Sequence, residues 1–238
     1  MFYLLSKIAE NMLFFGILSI LLAVAAAEDT CYDDSLAVCD PIPKDGKSML
    51  NCNAKYGHIE RHPLIDLQSY ANANLRVSFE FLLMSSYFGN YEDQRYGFKK
   101  LYRKFSDELW EDAINIIKYV TKRGDTVDFN QPPHLMEPVY KDVKILTYEL
   151  NELHSLAKAL DRQKELANKA LNIHHDITKN DKINDAGVAH YVEERFIEPQ
   201  ADRVRDLAGY INDLKNLLTG NDHSVALFLF DEYLKNSL

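Results

Sequence analysis

The 238-residue chain has no surplus of basic charge: 27 Lys and Arg stand against 36 Asp and Glu, a formal net charge of −9. That balance argues against a nucleic-acid partner, whose phosphates need a positive surface, and favours a cationic one. Sustained alternation of apolar and polar residues is scarce, which argues against a sheet. No internal repeat and no low-complexity tract is visible, so neither a repeat architecture nor a disordered tail organises the chain. No Asn-x-Ser/Thr sequon occurs, so no N-glycan is expected on any surface. Cysteine is limited to Cys31, Cys39 and Cys52, a set that does not make a closed four-ligand zinc site.

What is present begins with a leader. Lys7 precedes an apolar run from Met12 to Ala27 that ends in small residues before Glu28 and Asp29. The run is shorter than the ~20 residues of a spanning helix and ends as a signal-peptidase site does. Residues 1–27 therefore read as a secretory signal peptide in preference to a membrane anchor, and the protein as secreted or held in the lumen of the secretory pathway. Removing them takes away Lys7 and Glu10, so the charge stays at −9. Residues 28–63 carry all three cysteines, Pro41, Pro43 and Pro63, and no sustained period, and read as an extended arm. In an oxidising compartment the thiols pair. An odd number leaves one sulfur over, for another chain or as a free thiol; spacing alone does not say which.

From residue 64 to residue 238 the pattern is helical. Leu64, Leu67, Tyr70, Ala71, Leu75, Phe79, Leu82 and Leu83 recur at helical spacing until Gly89-Asn90. A second stripe, Phe98, Leu101, Tyr102, Phe105, Leu109, Ala113, Ile116, Ile117 and Val120, ends at Arg123-Gly124. A long connection containing Pro132-Pro133 follows. A third helix is expected from about Val143 to Ile177. A fourth is expected from Val188 to Leu218, with Pro199 inside it as a source of a kink. A short closing helix, Val225 to Leu234, is oily on nearly every side and calls for burial against neighbours, including other subunits. Short, long and short connections predict an all-α four-helix bundle with one long crossover and a fifth C-terminal helix.

The second helix also crowds Asp107, Glu108, Glu111 and Asp112 into two turns, where like charges at i, i+4 repel. A solvated acidic face partly neutralised by Lys104 and Lys118 is the plain reading. A face that takes up cations is the functional one.

Phe79 to Phe88, Ser106-Asp-Glu-Leu-Trp-Glu-Asp-Ala113, Lys122-Arg-Gly124, Leu160 to His174, Tyr191-Val-Glu-Glu-Arg-Phe196 and Leu229-Phe-Asp231 resemble the four helices and closing helix of ferritins, over roughly residues 64–236. With the leader and the cysteine-bearing arm, the chain looks most like secreted, insect-type ferritins of the light-chain kind. The resemblance implies an iron-storage subunit of a hollow cage of about 24 subunits, with Fe(II) entering and Fe(III) stored as mineral. A heavy-type partner subunit is implied too, and the odd cysteine suggests a disulfide tie to it.

Heavy-type ferritins oxidise Fe(II) at a di-iron site that uses carboxylates and a Glu-x-x-His pair. The positions that match that site are Asn74, Phe81, Glu108, Leu109, Asp112, Gln163 and Gln200, of which only Glu108 and Gln200 keep the family residue. The neutral amides and Leu109 cannot hold two mutually repelling cations. Independently, no Glu in the chain has a His three residues later. The expectation is a chain without its own ferroxidase centre. The resemblance also places Asp107, Glu108 and Glu111 on the face that seeds ferric mineral, and His174, His190 and Glu193 at an ion-entry funnel. A secreted helical bundle that binds a non-iron ligand is the alternative function.

Overall fold

The computed structural model describes residues 31, 52–56, 61–92, 94–127, 151–179 and 184–238. The chain divides into two compact units, residues 1–54 and 55–238. In the first, Cys31 and Cys52 are disulfide-bonded with their Cα atoms 4.6 Å apart, which supplies the pairing that spacing had left open. Cys39, the expected leader and the expected long crossover lie outside the described residues, as does the start of the third helix.

The second unit is built of helices. α1 (Arg61–Phe88) buries Leu64, Leu67, Tyr70, Ala71, Asn74, Val77, Ser78, Phe81, Met84, Ser85 and Phe88. These are steps of three and four that make one inward stripe. It stops before Gly89, and the amide of Arg95 donates to the carbonyl of Phe88 at 2.9 Å, turning the chain back into α2 (Tyr96–Lys122). α2 buries eight of the nine apolar residues of its predicted stripe; Ile117 is half-buried against the same core. α1 and α2 pack along one another as a hairpin.

α3 (Glu152–Lys179) presents Leu156, Ala159, Gln163, Leu166, Ala170, Ile173 and Ile177 inward. The fourth long helix is continuous but not uniform. α4 (Ala186–Val192) leads into a π-helical turn over Glu193–Ile197, which leads into α5 (Glu198–Leu217). Where a kink was expected from Pro199, the helix carries a π turn just ahead of it: the ring has no N–H to donate, and a widened preceding turn accommodates that loss. α3 packs on α5 and on α1.

α6 (His223–Ser237) closes the bundle against α2 and α5. It buries Ala226, Phe230, Asp231 and Leu234 and leaves Val225, Phe228, Leu229 and Tyr233 at least half as exposed as they can be. Asp231, an acid inside an oily helix, has a structural reason. Its Oδ1 accepts from the amides of Gly97 at 2.9 Å and Phe98 at 3.1 Å, capping α2 from another helix. Gly97 is needed there, because a Cβ at that position would run into the Asp231 backbone. Burial still pushes the Asp231 carboxyl above its usual range, against those two hydrogen bonds.

Candidate functional site

Three groups of side chains follow from this packing. The first is at the centre of the bundle, where α1 contributes Asn74 and Phe81, α2 contributes Leu109 and Asp112, α3 Gln163 and α5 Gln200. Phe81 and Leu109 are fully buried, and the Phe81 ring lies 6.1 Å from that of Tyr102 and 5.7 Å from that of Phe105. They are ordinary core residues. Asn74 donates through Nδ2 to the carbonyl of Tyr70, one turn earlier, at 2.9 Å. Its Oδ1 and both amide atoms of Gln163 are buried with no hydrogen-bond partner among the described residues, and the equally buried Gln200 amide lies against the Tyr70 phenol. The Tyr70 phenol stands in the same neighbourhood: burial raises its pKa, while the amides of Asn74 and Gln200 and the charge of Arg203 oppose the rise and Asp112 adds to it.

Asp112 is the one acid in this group, and it is already engaged. Arg203 of α5 donates through Nη1 to Asp112 Oδ2 at 2.9 Å and through Nε to Glu108 Oε2 at 3.1 Å. One guanidinium therefore joins two carboxylates a helical turn apart on α2. The Arg203 and Asp112 side chains keep only 14% and 16% of their exposure. Burial raises the Asp112 pKa above its ordinary value, with Arg203 pulling the other way. Arg203 is the residue that sequence reasoning missed. Its sign was visible only as spacing, three residues after Gln200 and four before Leu207, on the stripe that faces the core.

The second group is the acidic face of α2. Asp107 is exposed and receives Arg103 in a two-pronged contact of 2.8 Å per prong. Glu108 is about two-thirds buried and held by Arg203. Glu111 is exposed and has no salt-bridge partner among the described residues. The cations that offset the crowded acids are thus Arg103 and Arg203, in place of the expected Lys104 and Lys118. Glu108 shares a guanidinium with Asp112. Glu111, Asp112 and Asn115 face Arg195 and Arg203 across a cleft of about 240 Å³ between α2 and the fourth long helix.

The third group lies at the start of that fourth helix. The end of α3 packs against α4, which puts half-buried His174 in the same region as exposed His190 and Glu193. The carboxylate nearest His190 Nε2 is that of Glu194, at 3.7 Å; Glu193 is not paired with it. Beside these, Asp185 caps α4 by accepting from the Val188 amide at 3.0 Å, and it receives Arg123, the residue just past α2, at 2.7 Å. Arg123 in turn lies over the Tyr56 ring at 4.3 Å. The Arg123 contact and the backbone N–H groups hold the Asp185 carboxyl below its usual range despite burial. Among the described residues, no three His, Cys, Asp or Glu side chains of one chain come together as a metal-holding group.

Comparison with known proteins agrees with this architecture. The family described as ferritin-like domain matches residues 66–217. A ferritin light chain of Trichoplusia ni is 44% identical over 228 residues, covering 92% of this chain and 96% of the relative. A ferritin light chain of Drosophila melanogaster is 42% identical over 215 residues, covering 90% and 92%. A ferritin heavy chain of Papilio xuthus is 28% identical, covering 91% and 97%. In three dimensions, the crystal structure of Trichoplusia ni secreted ferritin superposes with a TM-score of 0.78 at 43% identity, covering 89% of this chain and all of that one. With a bundle of four long helices and a closing fifth, and a family match across most of its length, the chain belongs to the ferritin family.

Proposed function

We propose that this chain is a light-type subunit of a secreted iron-storage ferritin. It joins other subunits in a hollow cage, offers carboxylates on which ferric mineral starts, and leaves the oxidation of Fe(II) to a heavy-type partner. The observation that carries the reading is the donor set at the bundle centre. Asn74, Gln163 and Gln200 are neutral, Leu109 has no donor, and Asp112 is held by Arg203. Two iron ions a few ångströms apart repel one another and need anionic ligands to stay together. The acids that remain, Glu108 and Asp112, share the single guanidinium of Arg203, so the centre offers no free anionic pair.

Iron on this reading is cargo, met on a surface. Hard ferric ions favour oxygen donors. Glu111, with Asp107 and Glu108 beside it, gives α2 a row of carboxylates whose remaining lone pairs a mineral nucleus can use. His174, His190 and Glu193 stand on two helices that pack together, and copies related by symmetry would multiply them into the lining of an entry funnel. Assembly is supported by α6, whose Val225, Phe228, Leu229 and Tyr233 remain exposed on a single chain and are an aggregation liability unless neighbouring subunits cover them. Residence in the secretory pathway is supported by the leader pattern, by the Cys31–Cys52 bridge and by likeness to ferritins from that compartment. Cys39 is the sulfur left for a bridge to the partner subunit.

The test is co-expression with a heavy-type subunit, followed by iron loading. A large iron-filled particle is expected to contain both chains, with a heterodimer band on non-reducing electrophoresis. Replacing Asp107, Glu108 and Glu111 together by Ala is expected to slow mineral growth without changing particle size. A chain that elutes as a monomer of its own mass, binding no iron, would instead support a helical-bundle protein for another ligand.

A further inference from the structure

We propose that Arg203 is a built-in counter-cation that keeps metal ions out of the seam between α2 and α5, and so limits iron uptake on α2 to its outer acids. This rests on the reading of α2 as an iron-receiving face. Glu108 and Asp112 are one turn apart on α2, a spacing at which a single multivalent cation can bridge two carboxylates. In this chain the bridge is made by Arg203, through two different N–H groups, at 3.1 and 2.9 Å. The guanidinium keeps its charge at every working pH, and its planar fork spends a hydrogen bond on each carboxylate.

What lies behind Arg203 gives the arrangement its meaning. Gln200 is one turn earlier on the same face of α5, 1% exposed, with its neutral amide against the buried Tyr70 phenol. Tyr70 and Asn74 stand beside it. Two carboxylates converge on one point, with the Gln200 amide beside the same buried Tyr70 phenol that Asp112 and Arg203 act on, and they are oxygen donors suited to a hard cation. The positive charge of Arg203 occupies that point and repels a divalent or trivalent ion in proportion to the ion's own charge. Removing that charge while leaving the carboxylates in place should therefore open a site for a hard cation. Removing Asp112 from the natural chain should remove no site, because Asp112 is already spoken for.

Terbium(III), a hard trivalent probe, can be titrated into the assembled apo particle, with bound ions counted per copy of this chain by equilibrium dialysis. Arg203→Gln is expected to add one ion per copy, bound at least about tenfold more tightly than ions on the unaltered face. Arg203→Lys, which keeps the charge, and the double variant Arg203→Gln/Asp112→Asn are expected to add none. Asp112→Asn alone, close in shape to the natural residue, is expected to leave the count unchanged. The proposal is overturned if Arg203→Gln binds no more terbium than the natural chain. It is equally overturned if Asp112→Asn lowers the natural count, since Asp112 would then already be taking metal; this second arm stands even if the Gln variant fails to assemble. Ion counts without mineral separate this outcome from failure of the mineral-seeding reading, which is decided by the growth rate of the triple Ala variant.

Discussion

The two halves of the bundle interior are filled in different ways. Toward the end where α6 closes the structure, Phe88, Phe98, Tyr102 and Phe230 stack or tilt against one another with ring centroids 5.2 to 6.4 Å apart. There the polar atoms have partners: the Tyr102 hydroxyl donates to Ser155 Oγ at 2.7 Å, and Ser78 Oγ donates to the Ser106 carbonyl at 2.8 Å. Toward the middle, Asn74, Gln163 and Gln200 are just as buried, and Asn74 Oδ1 and both Gln163 amide atoms have no partner among the described residues. The aromatic half is chosen for packing. The amide half keeps polar residues at positions where packing alone would have selected Leu or Met.

The largest effect that would break this comparison is in the aromatic half. Phe88→Ala removes a fully buried ring with two stacked neighbours and is expected to destabilise the subunit by about 3–5 kcal/mol in denaturant unfolding. Next is Asp185→Asn, beyond the amide half at the start of α4, which leaves Arg123 buried beside a neutral amide and weakens a helix cap. A loss of about 3 kcal/mol is expected at neutral pH. Because the folded Asp185 carboxyl lies below its unfolded value, its contribution is present above the ordinary aspartate range and is lost as pH falls through the folded value. The natural chain and the variant should therefore converge in acid. Asp112 has the opposite sign: its folded pKa is raised, so its contribution is present in acid and lost as pH rises through the folded value. The smallest effect is the most telling. Gln163→Leu, which replaces an unpartnered buried amide by an apolar group of similar size, is expected to be neutral or to stabilise by about 1 kcal/mol. A loss of 2 kcal/mol or more would mean that the amide half is held by hydrogen bonds after all.

These contrasts also mark how far the sequence could be read. The α2 stripe from Phe98 to Val120 was legible because nearly every member is apolar and helical periodicity is a local property. The stop at Gly89 and the disturbance near Pro199 were legible for the same reason, although the choice of a π turn depends on how the whole helix packs. The neutral residues at Asn74, Leu109 and Gln163 could be read off once the helices were placed. Asp231 could not, because the amides it caps belong to Gly97 and Phe98, more than 130 positions away. Arg203 was hidden differently: one cation among Asp202, Arg205 and Asp206 looks like an ordinary solvated turn. Only the placement of α5 beside α2 brings it onto Glu108 and Asp112.

The claim on which the rest depends is that this chain stores iron without oxidising it, and oxygen uptake tests that directly. Fe(II) is added to particles assembled from this chain alone and to particles that also contain a heavy-type subunit, and oxygen consumption is followed for both. The account predicts that particles of this chain alone consume oxygen no faster than protein-free buffer, while the mixed particles do so rapidly. Fast, saturable oxygen uptake by particles of this chain alone would contradict it.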